Sequence, residues 1–166
     1  MEIRPSIAGA GYPVLEPAQL AQPVVLQQQV DPLLKEGRQG PDGRRPGGVQ
    51  RLTLEATLYR PPGPGPFPLI VLSHGTSRDP KQRVGERLRY DAQSWKFVSM
   101  GFAVVIPMRR GYGHSGGDYA ESEGLCDHSH FYAAGLESAR DLRATVEYVS
   151  GLPGIDPQRL VLVGHS

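Results

Sequence analysis

The sequence predicts an α/β protein, a mostly parallel sheet with helices on both faces and one antiparallel strand at the start. Three observations carry this expectation. The runs Leu69-Ile70-Val71-Leu72, Phe102-Ala103-Val104-Val105-Ile106 and Leu160-Val161-Leu162-Val163 are apolar at every position. Strands buried on both faces look like this, as parallel strands do under covering helices. Between the runs lie stretches with apolar residues at helical spacing. Ahead of them, residues 52–59 alternate with a period of two, as an antiparallel strand with one solvated face does.

In chain order, residues 1–48 are rich in Pro, Gly and Gln, and 37–48 carry Pro-Asp-Gly and Pro-Gly-Gly turn signals. This region reads as an irregular arm, with one strand near Val24 to Val30. Residues 49–166 read as the start of a second unit. In its first strand Leu52, Leu54, Ala56 and Leu58 take the core side, while Thr53, Glu55, Thr57 and Tyr59 take the outer side. The Pro-rich residues 61–68 form a stiff connector to the first buried run. Residues 90–100 place Ala92, Trp95 and Val98 near helical spacing and stop at Gly101, a suitable C-cap. Residues 131–149 place Leu136, Ala139, Leu142, Val146 and Val149 on one face, and Gly151 and Pro153 end the helix. An antiparallel strand followed by β, α, β, α, β implies right-handed crossovers.

At 166 residues the chain is long enough for one domain with a real core. Its 18 Lys and Arg against 17 Asp and Glu leave a formal charge of +1, so charge argues for neither a nucleic-acid nor a membrane partner. A single cysteine, Cys126, excludes an internal disulfide and a Cys-rich structural zinc site. The opening Met-Glu-Ile-Arg-Pro-Ser has no basic start followed by an apolar run, and no stretch is long enough to cross a bilayer. A cytoplasmic protein without a signal peptide is the expectation.

The chemistry concentrates at two strand ends. The Leu160 to Val163 run leads directly into Gly164-His165-Ser166, which is how a nucleophile elbow begins. The tight turn needs glycine for close backbone approach and lifts the serine oxygen above the sheet edge. Ser73-His74-Gly75-Thr76 follows the first buried run. Ester hydrolysis needs backbone N–H donors for its oxyanion, one of them from a loop after an earlier strand. The Thr76 N–H is the candidate for that donor.

Together with these motifs, Tyr59-Arg60-Pro61-Pro62, Gly101-Phe102-Ala103-Val104-Val105, the Arg110 to Gly117 string and Ile155-Asp156-Pro157-Gln158-Arg159-Leu160 stand in a recognisable order. Residues 58–166 resemble the dienelactone-hydrolase and prolyl-oligopeptidase-like branch of the α/β-hydrolases. The resemblance implies an eight-stranded, mostly parallel sheet and a triad in the order Ser, acid, His. It implies that this chain holds the N-terminal part of such a fold, incomplete beyond the elbow. The C-terminal half would then supply the acid, the histidine and the second oxyanion donor, and residues 1–166 alone would be inactive. The expected reaction is hydrolysis of a small-molecule carboxylic ester or lactone through an acyl-enzyme on Ser166. No cofactor and no metal are required. His74, Gly75, Tyr112, Gly164 and His165 are expected to border the site.

Other readings of the same residues compete. Gly113-His114-Ser115-Gly116-Gly117 is a complete Gly-x-Ser-x-Gly, but residues 107–112 separate it from the preceding strand, so Ser166 is preferred. Gly111, Gly113 and Gly116 fit a dinucleotide fingerprint, yet no helix pattern opens there to hold a pyrophosphate. Cys126, His128 and His130 would share a face on a strand, as a set of metal ligands does. The plainer reading is a polar loop. An order His74, Asp118, Ser166 would follow the chymotrypsin arrangement, which belongs to a different fold. A peptidase of the same fold, or a non-catalytic fragment or binding module, are the remaining alternatives.

Overall fold

The computed structural model describes residues 24–30 as a strand, and residues 52–85, 87–125 and 127–165 in full. The rest of the expected arm, Cys126 and Ser166 lie outside the described residues. In chain order the elements are β1 (Val24–Val30), β2 (Leu52–Tyr59), β3 (Phe67–Ser73), α1 (Pro80–Arg83), α2 (Asp91–Ser99), β4 (Ala103–Pro107), β5 (Gly124–Leu125), β6 (His128–Ser129), α3 (Phe131–Ser150) and β7 (Ile155–Gly164). Five strands form one mixed sheet in the order β1-β2-β4-β3-β7, and β5 pairs with β6 as a separate hairpin. β2 runs antiparallel to both neighbours, while β4, β3 and β7 run parallel.

The continuously apolar runs are explained by a core on each side of the sheet. Alternate residues of one strand point to opposite faces. Leu69, Val71, Ala103 and Val105 therefore join Val149 and Ile155 in one cluster, with Leu142 and Val146 of α3 packed against it. Ile70, Leu72, Val104 and Ile106 join Val98 of α2 in the other, backed by Phe97, Phe102 and Val163. Full burial of each such side chain favours folding by roughly 1.5–3 kcal/mol. α2 ends as its sequence suggests. The Met100 N–H donates to the Phe97 carbonyl and the Gly101 N–H to the Val98 carbonyl, and Gly101 takes a positive φ of 90° that glycine adopts without strain.

Two expectations change. β2 does not have a solvated face, because Glu55, Thr57 and Tyr59 are buried along with Leu54, Ala56 and Leu58. The reason is cover. The Ser115 hydroxyl and the His114 N–H bind the backbone and carboxylate of Glu55, and the Tyr59 hydroxyl donates to the Asp91 carboxylate at the start of α2. Burial, and next the Asp91 carboxylate, push the Tyr59 pKa well up. β7 has the opposite fate. Its apolar run was expected to be buried on both faces, but Leu160, Val161 and Leu162 are exposed, because among the described strands only β3 pairs with it. α1 and the β5–β6 hairpin carry no periodic signal. α1 is one turn made by Asp79, whose carboxylate accepts the Lys81 N–H at 2.9 Å, with Pro80 opening the turn. Among the described residues no helix is long and apolar enough to cross a membrane.

Ile106 is fully buried, whereas Val84 is 69% exposed. Ile106→Ala is expected to cost about 2–5 kcal/mol, and Val84→Ala no more than about 0.5 kcal/mol. Denaturant midpoints of the two variants would check the contrast, and equal midpoints would contradict the placement of the core.

Candidate active site

Because β3, β4 and β7 are parallel, their carboxyl ends emerge together along one edge of the sheet. Ligands of open α/β sheets bind at such edges. The pairing of Leu72 with Val163 and Ser73 with Gly164 carries β3 and β7 to this edge in register. The His165 N–H then donates to the Ser73 carbonyl at 3.1 Å, which extends the pairing past the strand ends. A cleft of about 350 Å³ opens here. Ser73, His74, Gly75 and Thr76 line it from β3, Gly164 and His165 from β7, Arg109 and Glu121 from the β4 side, and Ala134, Gly135 and Ser138 from α3.

His74 is only 3% exposed. Its Nε2 accepts the Arg109 backbone N–H at 3.2 Å, so Nδ1 carries the proton and donates to the Gly75 carbonyl at 2.7 Å. Burial, and next the Arg109 guanidinium, lower its pKa to about 4. The ring is therefore neutral near pH 7 and both nitrogens are occupied. Tyr112 does not line the cleft but stands behind it. Its ring meets that of His74 edge-on at 4.5 Å, and its hydroxyl accepts the Ser77 N–H at 3.3 Å. Burial pushes the Tyr112 hydroxyl up to about 12, so it stays protonated. Thr76 is exposed, and among the described residues nothing accepts a hydrogen bond from its N–H. His165 turns its ring toward Tyr90, whose hydroxyl lies 3.4 Å from Nδ1.

The structure thus brings His74, Gly75, Thr76, Gly164 and His165 to one cleft, with Tyr112 as support. Ser166, the expected nucleophile, lies outside the described residues. The rival serine is fully engaged elsewhere. The Ser115 hydroxyl donates to the Met108 carbonyl and accepts the Glu55 N–H at 2.9 Å, tying its loop to β2. The glycines of the nucleotide-like string also serve this loop. Gly111 has a φ of 77°, and a Cβ there would lie 2.6 Å from the Tyr119 Cα. No helix opens at Gly116, whose N–H donates to Thr53. Among the described residues no group of three or more His, Cys, Asp or Glu is placed to hold a metal.

Sequence reasoning missed three residues. Arg109 and Glu121 form a sealed ion pair, each 2% exposed. Tyr90 caps α2 in the left-handed region at φ 48°, a conformation that costs energy in any residue but glycine. A charged residue right after a buried strand, beside the His-Gly loop of a parallel neighbour, was the available signal for Arg109. Glu121 lies in an aperiodic loop and had none.

Residues 48–158 match the family described as X-Pro dipeptidyl-peptidase (S15 family). The chain is 32% identical over 111 residues to the quorum-quenching protein AidA of Acinetobacter baumannii (strain MDR-ZJ06), covering 67% of this chain and 31% of that protein. It therefore spans about a third of the length of the curated relative it matches. Among solved structures, DcsB in complex with its substrate analogue aligns with a TM-score of 0.56 at 20% identity, over 87% of this chain and 38% of that one. The esterase Est22 aligns with a TM-score of 0.54 at 18% identity, over 90% of this chain and 36% of that one. At these identities the likeness is one of fold.

The lowered pKa of His74 has a consequence for stability. The fold holds the ring neutral, so nothing is lost above the ordinary value of 6.5. As pH falls from 6.5 toward about 4, the unfolded chain gains a proton that the fold does not. The loss is on the order of 3 kcal/mol. Denaturation curves across this window should fall more steeply for wild type than for His74→Gln, and equal slopes would show that His74 titrates normally.

Proposed function

The chain belongs to the X-Pro dipeptidyl-peptidase (S15) family, and on that premise we propose that it carries the nucleophile and an oxyanion donor of a serine hydrolase acting on carboxylic esters or lactones. The observation that supports this best is the meeting of two loops at the carboxyl edge. β7 ends at Gly164, two residues before Ser166 in the sequence, and the Ser73–Thr76 loop lies beside that strand end, joined by the His165 to Ser73 hydrogen bond. Ser166 Oγ attacks the substrate carbonyl carbon, a histidine takes its proton, and the Thr76 N–H stabilises the oxyanion. The leaving alcohol departs with that proton, and water then hydrolyses the acyl-enzyme.

The base is not His74, whose nitrogens are both engaged and whose basicity burial lowers. In the order that the resemblance implies, acid and base follow the serine, so a complete triad needs residues C-terminal to Ser166. On this reading residues 1–166 alone are inactive. The chemistry needs no cofactor. A second reading, a serine peptidase, is favoured by the family's description. The likeness to a quorum-quenching protein, AidA, favours a small-molecule substrate instead. Short-chain aryl esters assayed beside an X-Pro dipeptidyl anilide separate the two.

Two experiments test the assignment in the full-length protein. A fluorophosphonate probe should label Ser166 on peptide mapping, and an adduct on Ser115 would overturn it. Thr76→Pro removes the donor and should lower kcat by about 10²–10³, as loss of one oxyanion-hole donor does. Thr76→Ala keeps the N–H and should be mild. Wild-type turnover by folded Thr76→Pro would remove Thr76 from the mechanism.

A further inference from the structure

Arg109 leaves β4 directly beneath the Ser73–Thr76 loop. A guanidinium has five N–H donors, and all five are used inside the protein. Nε donates to Glu121 Oε1, and Nη2 donates to Glu121 Oε2 at 2.9 Å and to the Gly75 carbonyl at 3.4 Å. Nη1 donates to Ser73 Oγ at 2.7 Å and to the His74 carbonyl at 2.6 Å. No donor remains for a substrate, so although Arg109 borders the cleft it is not a binding group. Its contacts reach three consecutive residues of one loop.

We propose that Arg109, held by Glu121, is the positioning residue that aims the oxyanion donor at Thr76. This rests on the reading of the Thr76 N–H given above. The Gly75 carbonyl and the Thr76 N–H belong to one peptide unit, which is planar and trans, so the two groups point in opposite directions. Whatever fixes the carbonyl fixes the N–H. Arg109 fixes the carbonyl twice. Its Nη2 binds the oxygen directly. Its backbone N–H occupies His74 Nε2, which forces the proton onto Nδ1, and Nδ1–H grips the same oxygen at 2.7 Å. The Thr76 N–H is left pointing away, with no acceptor among the described residues.

Glu121 completes the device. It takes two of the five donors and neutralises the buried charge, so the fork cannot rotate without breaking paired hydrogen bonds. A buried ion pair is often no more stabilising than well-packed apolar residues of similar volume. What the pair adds is direction. A donor fixed before the reaction needs no reorganisation when the oxyanion forms.

The test uses Arg109→Lys and Glu121→Gln in the full-length protein. The double variant Arg109→Met with Glu121→Leu is added because it leaves no lone buried charge to unfold the chain. kcat and KM are measured with a short aryl ester, per serine titrated with fluorophosphonate. A positioning role predicts that kcat per titrated serine falls by about tenfold or more, toward the 10²–10³ of a lost donor, while KM stays within about threefold. A merely structural role would lower the melting temperature and the fraction titrated but leave kcat per titrated serine unchanged, and that result would overturn the proposal. Thr76→Pro in parallel separates the two claims. If it loses kcat while the Arg109 and Glu121 variants keep theirs, positioning alone is wrong. If it keeps kcat, the oxyanion reading itself is wrong.

Discussion

A guanidinium sealed from water must find a partner for each of its donors or destabilise the fold, since an unpaired buried polar group costs about 1–3 kcal/mol and a charged one more. Arg109 meets this demand with Glu121 on one side and the Ser73–Gly75 loop on the other. The arrangement couples three segments far apart in sequence, the ends of β3 and β4 and the loop at residue 121. None can shift alone without leaving a charge or a carbonyl unsatisfied. The cleft's shape on the β3 and β4 side follows from this one requirement.

The sheet delivers those segments to the same place. Parallel pairing of β4, β3 and β7 puts three carboxyl ends on one edge, and the in-register pairing of β3 with β7 sets Ser73 opposite Gly164. α2 and α3 seal the two faces and so leave the edge as the open part of the fold. Arg110 secures the same edge from behind. Its backbone N–H and Nε bind the Asp141 carboxylate of α3 at 2.8 and 2.7 Å. The consecutive Arg109 and Arg110 thus face different partners, one holding the loop and the other the helix.

The stretch between residues 111 and 117 shows why motif matching needs structural context. Its glycines and serine satisfy two familiar patterns, yet the glycines fit tight turns against Tyr119 and Glu55, and Ser115 laces the loop to β2 and the end of β4. Gly113 and Gly164 both precede a residue-serine pair. Only Gly164 stands at the end of a parallel strand in the sheet.

From the sequence by itself the sheet's parallel strands, its two main helices and the gathering of His74, Gly75, Thr76, Gly164 and His165 were legible, because periodicity and strand-end motifs are local properties of the chain. The strand at Val24–Val30 was expected as well. The burial of Glu55, Thr57 and Tyr59 was not, since alternation reports polarity and not whether a neighbour covers the polar side. The exposure of Leu160 to Leu162 was not, since an apolar run does not say which strand lies at the border of the described sheet. Arg109, Glu121 and the left-handed Tyr90 were decided only by the tertiary structure. Their roles depend on partners 12 to 75 residues away, and no local pattern encodes which buried donor will meet which carbonyl once the strands have packed.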